Sequence, residues 1–179
     1  MTGDTRSLRG KGLGFTVAAV IVALDLWSKQ AVFASLGDDQ NLWLAGEWFG
    51  FTKVMNPGTM WGKLKSFSDV LPWVRVVAAV VVVSMITTTP ARARVLLAAL
   101  GLVLGGAVGN IYDGFAHGAV RDFLMVDLDV RFFDPFPIFN VADSAICVGV
   151  GLLALTMWGG AEEEAGDSGR EEAEGLRDG

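Results

Sequence analysis

Long apolar segments alternate with short polar connections along this chain. Four runs reach or approach the roughly 20 residues needed to cross a bilayer; they cover residues 13–36, 70–88, 95–112 and 138–158. Asp25 and Lys29 interrupt the first run, and their spacing of four residues places them on one face of a helix. The pattern predicts a membrane α-helical protein with four transmembrane helices.

Basic residues flank these segments unevenly. They precede the first segment and fill the short connection between the second and third, at Arg6, Arg9, Lys11, Arg92 and Arg94. Short loops rich in Lys and Arg stay cytoplasmic, so we expect cytoplasmic termini and two outer loops, residues 37–69 and 113–137. The basic start and the apolar run also resemble a cleaved signal peptide. The run lacks a small-residue cleavage site, however, which favours a retained helix.

The first outer loop has the composition of β-strands. Residues 48–54 are rich in aromatic and β-branched side chains, which strands favour, and Asn56, Pro57 and Gly58 form a turn sequence. We therefore predict a small extracytoplasmic β-sheet in the first outer loop, lying at the membrane surface.

The composition agrees with a membrane protein, since 52% of the 179 residues are hydrophobic and only 19% are charged. The net charge of −6 arises in the tail, residues 161–179, which holds eight acidic and two basic residues. The remainder is neutral, so nothing indicates nucleic-acid binding. We divide the chain into a cytoplasmic segment, residues 1–12, a transmembrane domain, residues 13–160, and an acidic cytoplasmic tail that is expected to be disordered.

Two aspartates lie beside apolar runs, where an unpaired carboxylate is costly: Asp122 follows the third run and Asp143 begins the fourth. Two carboxyl groups brought together can share one proton, so that one acts as acid and the other as base at the same pH. Such a pair can activate water against an amide bond. A capping role alone would explain Asp143, but Asn140 beside it is also polar and Asp122 can reach the same end of the bundle.

Other polar residues accompany the aspartates. Asp25 and Lys29 either extend toward the membrane surface as an ion pair or brace a site by hydrogen-bonding the loops above it. Asn110 and Asp113 are three residues apart and lie on one side of the third helix. Small residues that permit close helix contact precede them at Gly105, Gly106 and Gly109.

A metal centre or a covalent nucleophile is not expected. The chain has one histidine, His117, and one cysteine, Cys147, which is too few for a zinc site and gives the cysteine no visible base. No cofactor is implied, and Cys147 is expected to be a buried thiol of the fourth helix. The alternative from a different class is a small transporter or proton-conducting membrane protein, in which the intramembrane charges form a relay.

Five sequence blocks, in order, resemble those of the bacterial lipoprotein signal peptidases (signal peptidase II). They are DLWSK at 25–29, NPGTMWG at 56–62, GGAVGNIYD at 105–113, VRDF at 120–123 and FNVAD at 139–143. The resemblance implies an intramembrane aspartic endopeptidase of the bacterial cytoplasmic (inner) membrane, with its active site near the outer face. The catalytic pair carries over to Asp122 and Asp143. Supporting residues carry over to Asp25, Lys29, Asn56, Gly58, Asn110, Asp113 and Asn140.

The resemblance also implies the substrate. It is a prolipoprotein whose lipobox cysteine bears diacylglycerol. Cleavage falls on the amino side of that cysteine, within the lipid membrane. A monomer of the enzyme suffices for the reaction. Asn56 or Asn140 is a candidate donor to the developing oxyanion, a contact commonly worth about 3 kcal/mol.

The chain departs from the family pattern at four positions. Gly114 stands where the family usually has Arg, and Arg121 stands where a small apolar residue is common. Leu26 replaces a usual Gln, and Met60 replaces a small residue. Arg121 is the candidate to supply the positive charge that is missing at Gly114.

Overall fold

The structure is a computed structural model that describes residues 4–44, 46, 48–58, 70–127 and 137–175. Residues 59–69 of the first outer loop, Met60 among them, lie outside the described residues, as do residues 128–136 of the second. The predictions made for those positions therefore stay predictions.

Four helices form the body of the molecule, as the apolar runs predict. They are α1 (Asp4–Ser35), α2 (Leu71–Thr88), α3 (Arg94–His117) and α4 (Val141–Gly175). Each contains a stretch that is long and apolar enough to cross a membrane: Gly12–Ser35, Leu71–Thr88, Arg94–His117 and Val141–Trp158. The chain is a multi-pass membrane protein.

Two helices are longer than their apolar segments. The helix α1 begins at Asp4, and α4 continues to Gly175 through most of the acidic tail. Residues 161–175 of the acidic tail, for which disorder was expected, are helical. Ala and Glu, which are frequent in this stretch, are strong helix formers, and extending an existing helix avoids the cost of nucleation.

A three-stranded antiparallel sheet joins the two loops that connect α1 to α2 and α3 to α4. Its strands are β1 (Leu42–Trp43), β2 (Phe49–Asn56) and β3 (Val120–Val126), in that order across the sheet. The predicted sheet is confirmed, but its third strand comes from the second loop. Asp122 therefore lies in a strand, opposite Val54, and not in an irregular loop.

The helix α3 lies at the centre of the bundle. Of its membrane-spanning window 56% is buried, a far larger share than in the other three helices, and it packs against α1, α2 and α4. Glycines make this possible. A Cβ atom on Gly106 would collide with the Ala142 carbonyl oxygen, and one on Gly105 would lie 2.8 Å from the Ala18 carbonyl oxygen. Backbone thus meets backbone on both sides of α3, as small residues allow in membrane proteins.

Candidate active site

Asp122 projects from β3 into a pair of amide donors. Asn56, at the end of β2, donates from Nδ2 to Asp122 Oδ2 over 2.8 Å, and Asn140 donates from Nδ2 to Asp122 Oδ1 over 2.6 Å. The aspartate is only 1% exposed. Each carboxylate oxygen therefore has a donor, which is the condition for keeping a carboxyl group buried.

Burial controls the acidity of this group. Removal from water raises the pKa of Asp122 from its ordinary value of 3.8 to about 6, because the charged form loses solvation. The hydrogen bonds from Asn56 and Asn140 lower the pKa, as does the Lys29 charge, whereas the negative charge of Asp143 raises it further. A pKa near 6 suits a carboxyl group that exchanges a proton near neutral pH.

Asp143 and Asn140 cap the start of α4 together. Asn140 precedes the first helical residue, and its Oδ1 accepts a hydrogen bond from Asp143 N at 2.9 Å. In return Asp143 Oδ2 accepts from Asn140 N at 3.3 Å, so the two residues form a reciprocal capping box. Asn140 thus hydrogen-bonds both Asp122 and Asp143. The two candidate catalytic carboxylates therefore both lie within hydrogen-bonding distance of one residue, Asn140.

Lys29 forms a buried hub beneath the two aspartates. Its side chain is 0% exposed, so the interpretation of a lysine extending to the membrane surface is wrong; its contacts among the described residues join α1 to α3 and do not reach the outer loops. The ammonium lies 2.7 Å from Asp25 Oδ2, 3.0 Å from Asn110 Oδ1 and 3.0 Å from Asp113 Oδ2. These three contacts use all three of its N–H donors.

The contact with Lys29 orients the Asn110 side chain. An ammonium group only donates hydrogen bonds, so it holds the Asn110 carbonyl oxygen and turns the amide nitrogen away. That nitrogen donates to Asp143 Oδ1 over 2.8 Å. The same carbonyl oxygen accepts a second bond from Asn140 Nδ2 at 3.3 Å. The charge on α1 therefore determines which atom of α3 faces Asp143.

Asp25 connects α1 to α4. Its Oδ1 accepts a hydrogen bond from the backbone N–H of Ala142 at 2.9 Å. This N–H lies in the first turn of α4, where backbone donors lack helical partners and a negative charge is favoured. A Cβ on Gly109 would collide with the same carboxylate, so glycine is required there for α1 and α3 to approach.

Gly58 performs a similar orienting task for Asn56. Its backbone N–H donates to Asn56 Oδ1 over 2.9 Å, which leaves the Asn56 amide nitrogen to face Asp122. Gly58 has φ of +78°, a left-handed conformation that glycine adopts without strain. The turn sequence after β2 thus positions a donor of the site.

Beside Asp143 lies an apolar cavity of about 450 Å³, within the usual range of ligand pockets. It is lined by Pro137, Phe139, Asp143, Ser144, Cys147 and Val148. Cys147 is exposed there, so the expectation of a buried thiol is wrong. Its place on the outward face of α4, one turn after Asp143, explains the exposure. Among the described residues, no three His, Cys, Asp or Glu side chains form a group that could hold a metal ion.

Comparison with known proteins establishes the family of this chain. The family described as Signal peptidase (SPase) II matches residues 17–159. The chain belongs to the signal peptidase II family. Relatives named lipoprotein signal peptidase include one from Alteromonas mediterranea, 34% identical over 93% of this chain and 92% of that protein. Another, from Halalkalibacterium halodurans, is 36% identical over 80% of this chain and 90% of its own length.

The fold is shared with a solved structure of a bacterial membrane enzyme. That structure aligns with a TM-score of 0.73 over 82% of this chain and 92% of its own, at 23% sequence identity. The four-helix bundle with its small sheet is therefore an architecture already found among membrane enzymes.

The departures from the signal peptidase II pattern can now be placed in space. Arg121 lies against Asp113, the residue directly before Gly114, with 2.7 Å between a terminal guanidinium nitrogen and Asp113 Oδ1. Gly114 lies against α2, where an added Cβ would meet Pro72 Cγ at 3.2 Å. Leu26 lies on α1, one residue after Asp25 and half-buried.

Three contributors to the site of this signal peptidase II family member escaped the sequence reasoning. Phe33 lies against the Arg121 guanidinium, with 5.9 Å between the guanidinium carbon and the ring centroid. Its position four residues after Lys29, on the same helical face, was the available signal. The backbone N–H of Ala142 and the cavity wall formed by Phe139 have no equivalent signal, because both depend on how α4 enters the bundle.

Proposed function

We propose that this chain is an endopeptidase that removes the signal peptide from diacylglyceryl-modified prolipoproteins. It cleaves on the amino side of the lipidated lipobox cysteine, using Asp122, Asp143 and one water molecule. The observation that carries the proposal is the position of Asn140, whose side chain and backbone hydrogen-bond both aspartates at the edge of an apolar cavity. Membership of the signal peptidase II family supports it.

The proposed reaction is general acid–base hydrolysis without a covalent intermediate. The ionised carboxylate of the pair takes a proton from water, which attacks the scissile carbonyl carbon, and the protonated partner donates a hydrogen bond to the carbonyl oxygen. The proton then passes to the departing amine. Either carboxyl group can take either role in this scheme, so base and acid are not assigned to individual residues. The raised pKa of Asp122 favours such a shared proton.

The two asparagines take different roles in this mechanism. Asn140 Nδ2 has two N–H groups, which serve Asp122 and Asn110, so Asn140 holds the carboxylate and the earlier suggestion of an oxyanion contact does not apply to it. Asn56 serves Asp122 with one N–H and is exposed at the open side of the site. The second Asn56 N–H is the candidate donor to the developing oxyanion.

The cavity fits a substrate that arrives within the membrane. Its walls are apolar except at Asp143 and Ser144, and it lies on the outward face of α4, where Cys147 and Val148 are exposed. An apolar chain of a lipidated substrate can enter there without crossing water. We place the protein in the bacterial cytoplasmic membrane as a monomer, with both termini cytoplasmic and the site near the outer face, consistent with the distribution of basic residues.

The test is cleavage of a diacylglyceryl-modified prolipoprotein in detergent micelles, followed by the gel shift of the shortened product. Wild type is compared with Asp122→Asn and Asp143→Asn. The matched control is Asp38→Asn, an exposed aspartate whose ion pair with Lys53 lies outside the site. We expect cleavage by wild type and the control only. Cleavage that survives both substitutions would overturn the catalytic assignment. If folded wild type did not cleave but moved protons across vesicles, the transporter alternative would replace the peptidase.

A further inference from the structure

We propose that Arg121 is a positioning residue of this site. Its guanidinium shares Asp113 with Lys29, so that Lys29 also holds Asp25 and Asn110, and Asn110 in turn holds Asp143. This inference rests on the proposed function and adds a residue that the family pattern does not supply at this position.

Both oxygens of the Asp113 carboxylate accept hydrogen bonds from Arg121. Arg121 Nε and a terminal guanidinium nitrogen donate to Asp113 Oδ1 at 3.0 and 2.7 Å, and the Arg121 backbone N–H donates to Asp113 Oδ2 at 3.0 Å. Lys29 occupies the same Oδ2. Arg121 is 6% exposed and Asp113 is 0% exposed. A buried arginine–carboxylate ion pair with several hydrogen bonds is strong and geometrically specific.

Arg121 also precedes Asp122 directly in β3. Consecutive side chains of a strand point to opposite faces, so Arg121 reaches toward α3 and Phe33 of α1 while Asp122 reaches toward Asn56 and Asn140. The same short piece of backbone therefore carries the anchor and the candidate catalytic group. A change in how Arg121 seats on Asp113 is transmitted to Asp122 through a single peptide unit.

The charges around the pair balance only when Arg121 is present. Among the described residues, the buried charged groups that contact one another next to the pair are Asp25 and Lys29 of α1, Asp113 of α3 and Arg121 of β3. Two carboxylates then meet two cations. Without the guanidinium, Lys29 alone would serve both buried carboxylates, and one uncompensated negative charge would remain beside Asp122.

The consequences for catalysis follow from that imbalance. Lys29 would be drawn from Asn110 toward Asp113, so Asn110 would lose the contact that orients its amide toward Asp143. The added negative charge would disfavour ionisation of the pair and raise the pKa of Asp122. Turnover should fall, and the ascending limb of the pH–rate profile should move to higher pH.

The experiment compares cleavage kinetics of wild type, Arg121→Gln, Arg121→Lys and the double variant Arg121→Gln/Asp113→Asn. The matched control is Lys53→Gln, because Lys53 also lies 5.9 Å from the Phe33 ring but pairs with an exposed aspartate. For Arg121→Gln we expect kcat to fall about tenfold to a hundredfold, with KM nearly unchanged, since a small misplacement of reacting groups has an effect of that size. The profile should shift to higher pH.

Arg121→Lys keeps the charge, so its pH profile should match wild type although kcat falls. The double variant removes one negative charge together with the positive one and should return the profile toward wild type. Equal kcat in wild type and Arg121→Gln would overturn the inference, as would a loss of kcat with no shift of the profile in any variant. Failure of wild type and Lys53→Gln to cleave would instead remove the proposed function, and this inference with it.

Discussion

Asn140 performs two tasks, and two substitutions separate them. Its Oδ1 caps α4 by accepting from Asp143 N, and its Nδ2 donates to Asp122. Asn140→Ala removes both contacts. Asn140→Ser keeps a hydroxyl oxygen that can cap the helix, but the shorter side chain cannot reach Asp122. The two variants should therefore differ in their free energy of unfolding. Their cleavage activity should be affected equally, because both lose the hydrogen bond to Asp122.

The magnitudes follow from these contacts. Loss of an N-cap side chain costs about 1 kcal/mol, and loss of a hydrogen bond to an ionised group costs about 1.5–3 kcal/mol. Asn140→Ala should thus lower the free energy of unfolding by roughly 2.5–4 kcal/mol, and Asn140→Ser by about 1 kcal/mol less. Thermal unfolding in detergent, with wild type as reference, measures the difference.

Both variants should change the pH dependence of cleavage in the same way. Burial raises the pKa of Asp122 to about 6, and the Asn140 hydrogen bond opposes that rise. Without the bond, the pKa of Asp122 rises above 6 and the ascending limb of the rate profile moves to higher pH. If Asn140→Ser cleaved at the wild-type rate with an unmoved ascending limb, the assignment of Asn140 as a donor to Asp122 would be refuted.

Three further predictions concern other parts of the site. The raised pKa of Asp122 makes its neutral form the favoured one in the folded state, so the contribution of Asp122 to stability should fall by about 3 kcal/mol as pH rises from about 4 to about 6. The thermal unfolding temperature of Asp122→Asn should therefore fall less across this window than that of wild type, and an equally steep fall in the variant would contradict this. Gly109→Ala should reduce both stability, by more than about 1 kcal/mol, and cleavage, because its Cβ would collide with Asp25, whereas Gly151→Ala, with open space around it, should be neutral or slightly stabilising. Alkylation of Cys147 with a bulky maleimide should block cleavage by filling the cavity beside Asp143; Cys147→Ser should cleave and resist the reagent, and full activity of the alkylated wild type would show that substrate does not use this cavity.

The helices could be predicted from the sequence, but β3 could not. A long apolar run is a local property of the sequence, so the membrane-crossing segments can be identified without knowledge of the fold. The strand Val120–Val126 lacks alternation of apolar and polar positions because its first four residues are all buried, Arg121 and Asp122 among them. Its partner, β2, comes from a different loop, and pairing between distant segments leaves no local signal.

For the site, too, the sequence indicated which residues take part but not which atoms they contact. Spacing and sequence blocks identified Asp122, Asp143 and Asn140, yet the bonds from Asn140 to both aspartates depend on where α4 begins relative to β3. Cys147 was misplaced for a related reason. A membrane helix is apolar on its lipid face as well as its packed face, so hydrophobic periodicity does not reveal which side is buried. That side is set by packing against α3.

The pairing of Asp25 with Lys29 inside α1 has a consequence for the biogenesis of the protein. The chain is made from its N-terminus, so α1 is complete before Asp113 and Arg121 have been synthesised. A lone buried cation would oppose insertion of the helix, but the 2.7 Å contact with Asp25 lets the two charges neutralise each other within a single segment. Asp113 and Arg121 are synthesised later, as a second self-compensating pair. Each ion pair of the polar centre thus joins residues that are close in sequence and are synthesised together.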